Sequence, residues 1–123
     1  MTLTNERILN AYVPLQNLYH QKLQVGTSKK LFDLIHKIRP VMDFQIEQEQ
    51  QFLEEHPPVR LENDKYVFST PEDANAFRER LAELAQLETD IDDVPLIIET
   101  ANEPVFEISG NDIEKLQPLV EIK

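Results

Sequence analysis

The sequence predicts a mainly α fold with a small β part. A helical hairpin carries a β-hairpin at about residues 59–68, between its second and third helices, and short C-terminal strands and a helix follow. Three observations predict it. Apolar residues recur at steps of three and four over residues 8–19, 31–53 and 74–87, the period of an amphipathic helix. Between the last two runs lies VRLENDKYVF, whose apolar residues alternate on either side of Asn63-Asp64. Capping residues then stand where the helical runs begin.

Taken in order, the first helix opens with Thr4 as its cap. Leu3 before the cap is spaced to pack on Ile8, a hydrophobic staple. Ile8, Tyr12, Leu15 and Leu18 or Tyr19 continue the stripe. Pro14 interrupts it, because proline cannot donate to the carbonyl of Asn10 and its ring crowds that turn. The expectation is a kink there, or a break into two short helices.

Residues 22–26 read as a connector, so the second helix is expected to start at Thr27 or Ser28. Leu31, Ile35, Ile38, Met42, Glu49 and Phe52 or Leu53 follow at helical steps, with Ile46 one step off the line. Pro40 again sits inside the pattern and biases Arg39 away from helical angles. Residues 43–56 combine strong helix formers with few apolar side chains, the signature of a helix that projects from the core or is completed by a partner. His56-Pro57-Pro58 ends it.

A turn at Asn63-Asp64 sets Glu62 against Lys65, Leu61 against Tyr66, Arg60 against Val67 and Val59 against Phe68. Val59, Leu61, Tyr66 and Phe68 then share one face, with a Glu62–Lys65 charge pair closing the turn end. The third helix starts strongly: Thr70 caps, Pro71 takes the first helical position, and Glu72 and Asp73 favour the positive end of the helix dipole. Ala74, Phe77, Leu81, Leu84 and Ile91, with Leu87, form its expected buried stripe. The helix is expected to reach about Thr89 and to lie antiparallel to the second. Beyond it, residues 95–99 and 105–108 read as strands, and Ser109 caps a short helix that Pro118 stops. This last segment either folds back on the helices or serves as a mobile tail.

With 123 residues the chain fits one domain, a helical core with its β-hairpin over residues 1–94 and a β/α segment over 95–123. No cysteine is present, which removes disulfides and thiolate metal ligands. The first residues lack the basic-then-apolar pattern of a secretory signal, and no apolar run approaches the ~20 residues that span a bilayer. A soluble, cytoplasmic protein without a membrane partner is expected.

The net charge of −11 is unevenly spread. Residues 1–40 hold six basic against two acidic residues (+4), and residues 41–123 hold six against 21 (−15). Such asymmetry speaks to association rather than fold. The plain reading is a basic segment lying against acidic neighbours or a solvated acidic face; the functional one is a surface for a charged partner. Lys22, Lys29, Lys30, Lys37 and Arg39 form a basic patch near Tyr19 and Phe32. It is too weakly cationic, within so acidic a chain, to favour nucleic acid.

No catalytic or cofactor signature emerges. His20, His36 and His56 are too widely spaced for a helical metal pair. Asp90, Asp92 and Asp93 cluster, but the glycine and glutamate of a calcium loop are missing at the required offsets. Glu47, Glu49, Glu54 and Glu55 sit among glutamines in a polar stretch, whereas catalytic carboxylates need a pocket that separates their acidities. Two glycines, Gly26 and Gly110, do not make a phosphate-cradling loop.

Several segments together resemble a group of small, poorly characterised bacteriophage and prophage proteins. They are ILNAY with LQNLYHQKLQV in the first 25 residues, SKKLFDLIHKI opening the long helix, and FLEEH at its end. The hairpin ending in YVF, AFRERLAELAQLETDID, and FEISGNDIEKLQPLVE near the C-terminus extend the likeness over most of the chain. Pro14 and Pro40 depart from that pattern. The resemblance implies a phage-encoded accessory protein and carries over no active site.

Two functional readings follow. The first is a non-enzymatic accessory protein acting through protein–protein contacts, in virion or tail assembly or as a homo-oligomer. Phe44, Ile46, Phe52, Leu61, Tyr66 and Phe68 would be its contact residues, each with ordinary core packing as the bland alternative. The second is an acidic inhibitor of a host defence or replication protein. It would occupy a basic groove through Glu47, Glu49, Glu54, Glu55, Asp90, Asp92 and Asp93.

Overall fold

A computed structural model describes residues 1–104 and 106–123. In chain order the elements are β1 (Thr2–Thr4), α1 (Asn5–Tyr19), α2 (Val25–Glu55), β2 (Arg60–Glu62), β3 (Lys65–Val67) and α3 (Pro71–Gln86). After these come β4 (Glu88–Asp90), β5 (Leu96–Ile98), α4 (Gly110–Leu116) and β6 (Val120–Ile122). The fold is mainly helical, with three two-stranded pairings: β1 with β4 and β2 with β3 antiparallel, β5 with β6 parallel.

Thr4 caps α1 as expected, its hydroxyl accepting from the Arg7 amide at 3.4 Å, and Leu3 and Ile8 both join the core. The break expected as one outcome at Pro14 is not found, and Arg39 stays helical: α1 runs continuously through Pro14, and α2 runs for 31 residues through Pro40. Pro14 is itself buried, flanked by Ala11, Leu15 and Leu18. Each proline removes one backbone hydrogen bond, but tertiary burial of the flanking apolar face overrides that local cost.

α2 starts at Val25, before the expected Thr27 or Ser28, because its cap comes from elsewhere in the chain. The Glu103 carboxylate accepts from the Gln24 amide at 2.8 Å and from the Thr27 hydroxyl at 2.6 Å. A carboxylate there satisfies one free amide and sits at the positive end of the dipole. A partner 76 residues away leaves no local trace.

α3 stops at Gln86, short of Thr89, since residues 88–90 leave the helix to pair with β1 in the register Leu3↔Thr89. Asn5, the one buried polar residue among those described, secures this junction. Its backbone amide donates to the Leu87 carbonyl at 2.7 Å, and its side-chain oxygen accepts from the Thr89 hydroxyl at 2.7 Å.

The C-terminal segment folds back rather than trailing free. Within the strand expected over 95–99, Leu96–Ile98 form β5, and its partner is β6, in the register Leu96↔Val120 and Ile98↔Ile122. The strand expected over 105–108 is not found: Phe106 to Ile108 carry no strand, and Val105 lies outside the described residues. Ser109 caps α4, and Pro118 follows its end. Leu96, Ile98, Leu116, Leu119 and Val120 pack with Ile8, Leu15 and Leu18 of α1 and with Leu31 to Val41 of α2 into one apolar core.

That core includes no residue between 42 and 90. The C-terminal half of α2, the β2–β3 hairpin and α3 therefore form an arm outside this cluster, joined to the core where α3 also lies against α1. A 31-residue helix is ~46 Å long, and its last 14 residues carry the arm ~21 Å beyond the core.

The hairpin has the expected register, Glu62↔Lys65, Leu61↔Tyr66 and Arg60↔Val67. Asn63 and Asp64 have φ of 50° and 62°, the two left-handed residues of a type I′ turn, which matches strand twist. The expected Glu62–Lys65 charge pair is replaced by one along the strand, with Arg60 donating to Glu62 at 3.2 Å. Glycine fits the second turn position without a Cβ penalty. Asp64→Gly is expected to stabilise the hairpin by about 0.5–1 kcal/mol, read as slower hydrogen exchange at the Val59 and Val67 amides. Faster exchange would contradict the turn assignment.

Candidate functional site

The arm brings four aromatic rings together. Phe52 of α2, Phe77 of α3, and Tyr66 and Phe68 of the hairpin form a cluster, with ring centroids 5.3 Å apart for Phe52–Phe77 and 5.4 Å for Phe68–Phe77. Tyr66 meets Phe77 edge to face at 5.9 Å. The expected strand face thus packs onto the helices through its Tyr66–Phe68 half. Arg80 bridges the helices, its guanidinium 5.7 Å from the Phe52 ring and donating to Gln48. The pairings 48 with 80 and 52 with 77 make α2 and α3 antiparallel, as expected.

The hairpin's root is fixed by polar contacts. Thr70 caps α3 through the Asp73 amide, and the Asp73 carboxylate lies 3.1 Å from His56 Nδ1 at the end of α2. His56 also stacks on Phe52, with centroids 4.7 Å apart. His36 is bonded to the Phe32 carbonyl, and His20 caps α1.

Packing in the arm is thin. Over residues 42–87 only Phe52 and Leu84 are buried. Ala74, Phe77 and Leu81, expected as buried stripe, are half-buried, and Leu87 is exposed; Ile91 alone reaches the main core. On one side of the arm these residues leave an open cleft of about 650 Å³. Its walls are Tyr66, Phe68, Ala74, Phe77 and Leu81, and its rim holds Glu49, Asp64, Lys65 and Arg78.

The six expected contact residues do not share one surface. Phe52 is 4% exposed and is interior packing, a correction to its reading as a contact residue. Tyr66 (44% exposed) and Phe68 wall the cleft, and Leu61 (61% exposed) stands beyond it with Val59. Phe44 lies at the arm's root, beside Pro40 and Leu87. Ile46, two residues from Phe44, projects about 200° further round the helix. The cleft-lining residues Ala74 and Leu81 were legible only as a helix stripe, because sequence does not show that no third element covers them.

The seven acidic residues fall into two separate groups. Glu47, Glu49, Glu54 and Glu55 lie on the arm. Asp90, Asp92 and Asp93 lie beside the core, where Lys37 meets Asp93 at 3.0 Å and the Thr2 hydroxyl donates to Asp90 at 2.9 Å. The single acidic face drawn from sequence is therefore corrected to two patches. Part of the basic patch is likewise engaged internally, Lys29 with Asp33 and Arg39 with the Tyr12 hydroxyl. Among the described residues no helix is long and apolar enough to cross a membrane. Comparison with protein-family models, with curated proteins and with solved structures finds no match.

Proposed function

We propose that this chain is a non-enzymatic accessory protein of phage or prophage type that works by protein–protein contact, with the arm as its contact element. The observation that carries the mode of action is the arm's incomplete packing. Two helices and a hairpin project from the core with Leu61, Val59 and Tyr66 exposed beside an open apolar cleft. Helical layers bury their apolar stripe against another element, and among the described residues this cleft is walled by α2, the hairpin and α3 alone. The phage assignment rests on the sequence resemblance alone. The inhibitor reading has less support, since its acidic residues are divided between arm and core.

Site-specific crosslinking in the native host tests this. A photoreactive residue at Leu61 is expected to yield a discrete protein adduct, while one at the equally exposed Val13 on the core side yields none. Adducts absent at Leu61, or identical from both positions, would remove the arm as the contact element.

A further inference from the structure

The backbone of β5 is bonded along one edge. Leu96 donates to the Leu119 carbonyl at 2.9 Å, the Ile98 carbonyl accepts from Lys123 at 2.8 Å, and Thr100 donates to the Lys123 carbonyl at 2.9 Å. Successive residues of a strand turn their amide and carbonyl to opposite edges, so Pro95, Ile97 and Glu99 face away from β6. All three are exposed. Among the described residues no backbone group bonds the Ile97 amide or carbonyl, the Glu99 amide or the Pro95 carbonyl. Clefts of about 390 and 440 Å³ run beside this edge and share Ile97 and Lys30 in their walls. Charged side chains on β2, β3, β4 and β6 guard those strands against pairing, whereas β5 reads Leu96-Ile97-Ile98 with Ile97 45% exposed. We infer that two copies of this chain pair through β5, antiparallel about a two-fold axis at Ile97, into one sheet of order β6–β5–β5–β6.

The pattern of donors selects a second copy. With Ile97 opposite Ile97, each Ile97 amide donates to the Ile97 carbonyl of the second copy, and each Glu99 amide to its Pro95 carbonyl. Proline offers no amide in return. The group it faces in this register is the Glu99 carbonyl, which already accepts from Asn102 at 3.0 Å within its own chain. The edge is thus self-complementary. A strand of another protein laid here would turn a carbonyl toward Pro95 that finds no donor there. On the outer face Ile97 meets its counterpart; on the inner face the buried Leu96 opposes Ile98, which continues the apolar core from one chain into the next. Charge does not oppose the contact, since Lys30 and Lys37 balance Asp33 and Asp93 in the cleft beside Pro95 and Ile97. This surface is apart from the arm, and the inference does not depend on the contact reading above.

Sedimentation equilibrium of the full chain up to about 1 mM is expected to show a monomer–dimer equilibrium. The Ile97 and Glu99 amides should exchange about tenfold or more slowly at the dimeric end of the series, whereas the Leu96 and Thr100 amides are protected already in the monomer. In a mixture of labelled and unlabelled chains, the α protons of Leu96 and Ile98 should give cross-chain contacts, as directly opposed residues do. Ile97→Pro removes the central donors and spares the ladder to β6, which uses Leu96, Ile98 and Thr100; the dimer should be lost. Ile97→Lys sets two like charges at the axis and should weaken the dimer about tenfold or more. Tyr66→Ser, on the arm, should dimerise as wild type. Circular dichroism and protection at Leu96 and Thr100 verify folding, and if Ile97→Pro loses that protection, Ile97→Lys decides. A monomer throughout, a dimer that the Ile97 variants leave unchanged, or Ile97 and Glu99 amides that exchange alike at both ends of the series would overturn the inference. So would a dimer lost in Tyr66→Ser, which would move the contact to the arm.

Discussion

Leu116→Ala is expected to lower global stability by about 2–5 kcal/mol, a large share of the ~5–15 kcal/mol typical of a domain. Leu116 is fully buried in α4 and belongs to the same apolar cluster as Ile8, Leu15 and Leu18 of α1. Truncation removes the transfer free energy of its methyl groups and leaves a cavity that side chains from four elements must close. The loss should be cooperative. Urea unfolding should shift to a lower midpoint with an unchanged slope, and amides of β5, β6 and α1 should lose exchange protection together. Leu87→Ala, at a half-exposed position, is the control and should stay within about 0.5 kcal/mol. A cost for Leu116→Ala as small as that of the control would mean that α4 is dispensable to the core and that the C-terminal segment is the mobile tail.

The two readings of that segment could not be separated from sequence for a physical reason. β5 and β6 are three residues each and pair in parallel across 21 intervening residues, so neither periodicity nor turn chemistry marks them as partners. β1 and β4 are equally short and lie at opposite ends of the helical region. The β-hairpin was legible because all of its determinants are local: alternation, a two-residue turn and a register fixed by it. The cap at Thr4 and the start of α3 were legible for the same reason. The start of α2 was not, because Glu103 contacts it from far along the chain, and the helices continue through both prolines, where propensity does not weigh the burial on either side of them.

The candidate site divides along the same line. Tyr66, Phe68 and Leu61 came from the hairpin pattern and do stand at or beside the cleft. Phe52 was grouped with them because its surroundings, FQIEQEQQFLEEH, are so polar that an apolar residue there looks unpartnered. The hairpin folds over precisely that position in space, and Phe68 and Phe77 cover it. One aromatic cluster thus takes the place of a core at the arm's tip, and apart from Leu84 the other apolar side chains of the arm are left half-covered or exposed.

Phe52→Ala follows from that arrangement and should behave unlike Leu116→Ala. Phe52 is the only buried residue of α2 beyond Val41, and it touches both the hairpin and α3. Removing its ring should cost the arm about 3–5 kcal/mol. A two-helix unit with two buried side chains does not have that much to lose, so the arm should open locally, as low-stability units do. Hairpin and α3 amides should then exchange freely, and helical circular dichroism should drop as the end of α2 frays. Amides of α4, β5 and β6 should keep their protection, because no arm residue belongs to their cluster. Phe44→Ala, at the exposed root, should leave arm exchange nearly unchanged. A Phe52→Ala variant whose arm and core amides lose protection in one step would show a single cooperative unit. A separate arm has a further consequence for binding. Whatever covers the cleft stabilises the closed arm by mass action, so a saturating ligand should restore hairpin protection in Phe52→Ala while leaving the core amides as they were.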